Sequence, residues 1–232
     1  MLATNISFRH VWGLQDSSRT TSTASRNYHF AAKSIEQGQE QLPLDREKTV
    51  RRLILLRHAQ SHGANPLVKD YSRQLTDVGR KAAQGLAQQL EACGWLPDHI
   101  LCSPSVRTQQ TLESMASVSD ALLKVGVDFV QTFYTAAALD GHTRQELERA
   151  IEGLEHSEQL STVMCMGHNK GWQEAATSFA GAPVSLKTAT AALLEGSGAT
   201  WEEAFQQGFC LQGILTPQGL TGRAQEDEAA KR

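Results

Sequence analysis

The chain has 232 residues, 40% of them hydrophobic and 20% charged, with a formal net charge of -3 at pH 7. That supports one core of moderate size and excludes the basic excess of a nucleic-acid binder and the charge blocks of a membrane-surface protein. No apolar run approaches the roughly 18 residues needed to cross a bilayer, so neither nucleic acid nor membrane is an expected partner.

From Met1 to about Ser34 the chain is rich in Ser and Thr ("SSRTTSTAS"), carries Arg9, Arg19, Arg26 and Lys33, and has a single acid, Asp16. An Arg-rich, Ser-rich, acid-poor start is the composition of an organellar transit peptide; a plain extension is the alternative. The Ser/Thr density and weak amphipathicity favour chloroplast over mitochondrion. "SIEQGQEQLPLDREKTV" reads as a polar linker and "RAQEDEAAKR" as a solvated tail. The expected organisation is a leader and linker over 1–49, a folded domain over 50–222 and a charged tail over 223–232.

Within the folded part, "RRLILLRH" is a short apolar run that predicts a strand buried on both faces. "LTDVGRKAAQGLAQQLEACG" follows, with Leu75, Val78, Ala82, Leu86 and Leu90 at helical spacing, Thr76 or Asp77 as the cap and Gly94 as the stop. "HILCS" is a second strand, and Ser103-Pro104 resembles a helix cap and first turn continuing through "SVRTQQTLESMA". "GHTRQELERAIEGLE" predicts a helix with Thr143 and Glu146 as a capping box and Leu147, Ile151 and Leu154 as its apolar stripe. "STVMCMGH" is a third buried strand, with a helix from Asn169 to Ala180. Two further strands are expected in "ALLE" and "GFCLQGILTP", with Trp201 between them in the core. Strands alternating with helices predict an α/β three-layer sandwich, a mostly parallel central sheet with helices on both faces.

The four cysteines, Cys93, Cys102, Cys165 and Cys210, form no CxxC pair. Cys102 and Cys165 lie in apolar runs, which predicts buried reduced thiols rather than disulfides or a zinc site. No metal-ligand spacing stands out, and neither a metal nor another cofactor is expected.

In open α/β sheets, ligands sit beyond the carboxyl ends of the strands. Here the first strand ends in Arg57-His58, the second runs into "SPSVRT" with Arg107 in the first turn of a helix, and the third ends in Gly167-His168-Asn169. Arg107 faces the positive end of a helix macrodipole, an unfavourable placement that becomes favourable when an anion binds there. Two guanidinium groups and two imidazoles on three strand ends therefore point to a phosphate site.

"LRHAQS", "SPSVRTQQT" and "GHN", in this order, resemble the histidine phosphatase superfamily, with its phosphoglycerate mutase-like fold. The likeness is greatest to SixA-type phosphohistidine phosphatases, through "RHA", "LTDVGRKAA" close before "ILCSPSVRTQQT", a Tyr such as Tyr134, and the closing "WEEAFQQGFCLQGILTPQGL". The resemblance covers about Arg51 to Leu220. It implies that His58 is the nucleophile and forms a phosphohistidine intermediate, with Arg57, Arg107 and His168 holding the phosphoryl oxygens. An imidazole suits this role because its pKa lies near neutrality.

Family members often carry a proton donor after the second motif. Asp140 and Glu146 are the candidates, with Glu146 already assigned to the capping box and Asp140 beside the turn residue Gly141. Ser61 is a possible oxygen contact; Asn65 reads as loop, Asn169 as a helix cap and Lys170 as a surface charge. Gln60 stands where SixA-type relatives often carry a charge. An imidazole leaving group is far less basic than an alkoxide, so a missing acid would matter less for phosphohistidine than for a sugar phosphate. The expected substrate is phosphohistidine in a protein. The alternatives are a small phosphorylated metabolite, as for a phosphomonoesterase or mutase, and an inactive phosphate-binding module.

Overall fold

The computed structural model describes residues 49–136 and 141–221. Its centre is β1 (Thr49–Arg57), the strand expected at "RRLILLRH". Leu53 and Leu55 pack into one core cluster and Ile54 and Leu56 into the other, each fully buried. Burial on both faces is why the run shows no polar alternation.

The sequence continues with α1 (Asp77–Ala92), β2 (His99–Cys102), α2 (Val106–Ala116), β3 (Gly126–Phe129) and a short α3 (Thr132–Ala136). After these come α4 (Thr143–Glu152), β4 (Thr162–Gly167), α5 (Asn169–Ala180), β5 (Thr190–Gly198), α6 (Trp201–Gln207), β6 (Phe209–Thr216) and β7 (Gly219–Thr221). The sheet order is β3-β2-β4-β1-β5-β6-β7. The first four strands pair in parallel, as expected. The other three are added as antiparallel neighbours, so the sheet is mixed, with β6 again running in the direction of β1. Helices α1 and α2 cover one face, with Leu86, Leu90, Leu112 and Met115 against Ile54, Ile100 and Met164. Helices α4, α5 and α6 cover the other, with Ile151, Trp172 and Phe205 packed with Leu53 and Val163. The result is the expected three-layer α/β sandwich.

Several local expectations change. β3, α3 and α6 carried no clear signal. β3 buries only Val127 and has no apolar run to announce it. α6 spans seven residues, and its Trp201, Ala204 and Phe205 stripe is only two turns long. Trp201 is in the core, as expected. In α1, Thr76 is the cap, accepting from the Gly79 amide at 3.0 Å. The buried stripe is Gly79, Ala83, Leu86, Ala87 and Leu90, while Val78 is 68% exposed. Gly79 takes the inward position because the helix start presses on the Gln60 backbone; a Cβ there would lie 2.1 Å from the Gln60 carbonyl oxygen.

The capping box at Thr143 does not form. His142 holds the cap position, so Glu146 falls one residue too far along and pairs with Arg149 instead. In α2 the cap position belongs to Ser105 rather than Ser103. Cys102 and Cys165 are buried on opposite faces of the sheet, and burial raises both thiol pKa values. At the far end of β1, the buried Arg51 donates to the carbonyls of Glu158, Leu160 and Ala199 at 2.6–3.0 Å, fastening the start of the central strand.

Candidate active site

The carboxyl ends of β1, β2 and β4 converge, and the residues expected at them meet. Arg57, His58, Ser61, Arg107 and His168 line one cavity of about 420 Å³, together with Gln60, Arg73, Asn169, Lys170 and Thr188. His58 continues the ladder past β1: its amide donates to Gly167 O at 3.0 Å and its carbonyl accepts from the Ala189 amide. Gly167 admits the Trp172 ring, which a Cβ would meet at 2.3 Å. Close packing of α5 on β4 therefore places His168 at the head of the helix.

His58 is 6% exposed. Its Nδ1 lies 2.8 Å from the carbonyl oxygen of Ala59, an acceptor, so Nδ1 carries the proton. Nε2 is then bare, and it accepts from Arg107 Nε at 3.2 Å. Burial, and the guanidinium groups of Arg107, Arg57 and Arg73, lower the His58 pKa to about 4 against the pull of the Ala59 bond. An imidazole with one nitrogen tied to a carbonyl and the other unprotonated is a competent nucleophile at neutral pH.

His168 lies beside it, with the two ring centroids 5.5 Å apart. Its Nδ1 accepts from Arg107 Nη2 at 3.1 Å, which leaves Nε2–H to donate to Ser103 Oγ at 2.8 Å. Burial, then Arg107 and His58, lower the His168 pKa to about 3. Ser103, expected as a helix cap, is fully buried and fixes the His168 ring instead. Arg57 donates from Nη1 to Leu186 O at 2.7 Å, while its buried Nε finds no partner among the described residues. A buried cationic donor left unpaired costs stability unless something fills the site, and a phosphoryl oxygen is the kind of acceptor it lacks.

Two important residues were not foreseen. Arg73 lines the cavity; it donates to Ser61 Oγ at 2.8 Å and to His62 O at 3.0 Å. The Ser61 hydroxyl is thus on the cavity wall but engaged by Arg73. Asp70 begins a single 3₁₀ turn, Asp70–Ser72. It accepts from Arg107 Nη2 at 2.9 Å on Oδ2 and from Arg107 Nη1 at 2.7 Å on its main-chain oxygen. Burial works to raise its pKa, but Arg107 and Arg73 overcome this and hold it below the ordinary carboxylate value. The only available signal was the spacing of an acid and a base, Asp70 and Arg73, within a polar connection.

The expected proton donors fare differently. Asp140 lies outside the described residues. Glu146 pairs with Arg149 on α4 and is not among the cavity residues. Among the described residues, no carboxylate lines the cavity. Asn169 and Lys170, read as cap and surface charge, both line it, and His168 takes the cap position.

Comparison with known proteins places this geometry in context. Residues 53–150 match the histidine phosphatase superfamily (branch 1). The chain is 44% identical over 171 residues to an uncharacterized chloroplastic protein of Arabidopsis thaliana, covering 72% of this chain and 78% of that one. A structure assigned as the phosphohistidine phosphatase SixA from Nakamurella multipartitia is similar with a TM-score of 0.57 and 26% identity, covering 71% of this chain and 95% of that one. A structure assigned as an alpha-ribazole-5'-P phosphatase from Escherichia coli shares the fold, with a TM-score of 0.52 and 17% identity over 75% of this chain and 99% of that one. Motif order, sheet topology and these similarities agree: the chain belongs to the histidine phosphatase superfamily and has a SixA-type phosphatase among its structural relatives.

Proposed function

We propose that this phosphatase acts on phosphohistidine in a protein, with His58 as nucleophile. The observation that carries the reading is the bare Nε2 of His58 in a cavity lined by three guanidinium groups, Arg57, Arg73 and Arg107. Nε2 attacks phosphorus as the bond to the substrate imidazole breaks. The phosphoryl group passes to His58, and the departing imidazole keeps the electron pair and takes a proton from solvent water. Water then attacks the phosphorus carried on His58, the bond from phosphorus to Nε2 breaks with its electron pair left on the ring, and phosphate departs with His58 restored. Arg57 and Arg107 hold the oxygens, a task suited to a rigid multi-donor fork, and His168 adds a further contact. Phosphoryl transfer of this kind rests on positioning and charge stabilisation.

The choice of phosphohistidine follows from the cavity wall. Its described residues include no carboxylate to protonate a leaving alkoxide, and Asp70, held ionised by two arginines, is a poor proton donor. An imidazole leaving group has the least need of such help. A cavity of about 420 Å³ also suits a small phosphorylated metabolite, which is the second reading.

A panel of phosphohistidine peptide, phosphoserine peptide and sugar phosphates decides between them. The phosphohistidine peptide is expected to turn over fastest, by at least tenfold, and His58→Ala to abolish turnover of all three. A sugar phosphate turned over fastest would overturn the protein-substrate reading, and activity surviving in His58→Ala would overturn the nucleophile. We further propose that residues 1–49 direct the folded domain, residues 50–222, to the chloroplast; the chloroplastic Arabidopsis relative supports this.

A further inference from the structure

Arg107 is divided between two sets of acceptors. Nε faces His58 Nε2, Nη2 is shared between His168 Nδ1 and Asp70 Oδ2, and Nη1 donates to the Asp70 main-chain oxygen. The carboxylate is itself fixed from two further directions. Arg73 Nη1 donates to Oδ1 at 2.8 Å, and the Tyr134 hydroxyl lies 3.3 Å from Oδ2. The Asp70 side chain is 52% exposed, yet the residue is not among those lining the cavity. It therefore grips Arg107 from outside the position a phosphoryl group would take.

A lone surface ion pair would carry little weight. This one ends on a guanidinium whose side chain is only 8% exposed, and it is reinforced by a main-chain acceptor on the same residue. Its orientation is consequently fixed. Its charge also offsets part of the field of the guanidinium groups that face the cavity.

We infer that Asp70 is a positioning residue that aims Arg107 at the cavity and, as a resident anion, weakens the site's hold on phosphate so that product is released. This rests on the reading of the cavity as a phosphate site. The bonds from Arg107 Nη1 to the Asp70 main-chain oxygen and from Nη2 to Oδ2 supply the aim, and the carboxylate charge supplies the counter-charge. Replacing Asp70 by Asn keeps the shape and an acceptor oxygen but removes the charge. Inorganic phosphate should then bind about tenfold more tightly, since a like charge competing for the same guanidinium is lost. Turnover slows as product lingers, so kcat and KM fall together. A purely structural defect would instead lower kcat and raise KM.

The test uses the full chain. Phosphate binding is measured by calorimetry, with no turnover involved, in the wild type, Asp70→Asn and Asp70→Glu. Steady-state kinetics on p-nitrophenyl phosphate and a thermal melt accompany it. Tighter phosphate binding in Asp70→Asn, with near wild-type binding in Asp70→Glu, is the expected result. Phosphate affinity in Asp70→Asn equal to or weaker than wild type overturns the inference, as does an Asp70→Glu variant that binds as tightly as Asp70→Asn. If Asp70→Asn does not fold, Asp70→Ser carries the same expectation. A wild-type chain that binds no phosphate is a separate failure, that of the phosphate-site reading itself.

Discussion

His58 and His168 are imidazoles kept neutral by their surroundings, and this has a consequence in solution. Their pKa values, about 4 and about 3, lie below the ordinary 6.5 chiefly because burial disfavours the charged ring. In the unfolded chain both rings take up protons as pH falls below about 6.5; in the folded protein they do not until much lower. The unfolded state thus binds more protons across the interval, and folding stability drains away as pH drops from about 6.5 towards 4. Each unit of separation corresponds to about 1.4 kcal/mol, so unfolding free energies from denaturant titrations at pH 7.5 and 4.5 should differ by a loss of a few kcal/mol. NMR titration of the native protein should find the His58 midpoint below 5; a midpoint near 6.5 would remove the basis of this prediction. Arg57, His58, Arg107 and His168 were legible in the sequence because each sits at a strand end or helix start. Asp70 and Arg73 were not, since a polar connection gives no periodicity by which to judge where its side chains turn.

The connection from β1 to α1 depends on one close approach. Gly79 faces inward where the helix start meets the Gln60 backbone, and Gln60 lines the cavity. Gly79→Ala must push backbone aside, so it should destabilise the fold by about 1–3 kcal/mol and lower activity by displacing the residues after His58. Urea denaturation alongside turnover of p-nitrophenyl phosphate would check both; unchanged stability would mean that the helix start yields freely. Long amphipathic elements such as α1, and strands buried on both faces such as β1 and β4, were readable because their apolar pattern persists over many residues. Short ones such as β3 and α6 were not, because four to seven residues leave a pattern too brief to separate from loop. Antiparallel addition of β5 to β1 escaped for a different reason: a buried run does not state the direction of its neighbour.

For the chain as a whole, two kinds of sequence information stand apart. The folded domain was recognisable from three motifs in a fixed order, a property of topology. The first 49 residues offer composition alone, which speaks to transport rather than shape. A fluorescent protein carrying residues 1–50 at its N-terminus should accumulate in chloroplasts of a plant cell; a signal confined to the cytosol would refute the proposed destination.

β1 is flanked by paired strands on both edges, and His58 prolongs that ladder with a bond to each side. The attacking ring is therefore mounted where the molecule opens last, since central strands unlock only with global unfolding. Asp70 and Arg73 ride instead on a single turn in a surface connection. The nucleophile is bolted to the framework while Arg73, which lines the same cavity, is carried on that connection, so a new leaving group can be fitted by rebuilding the connection alone.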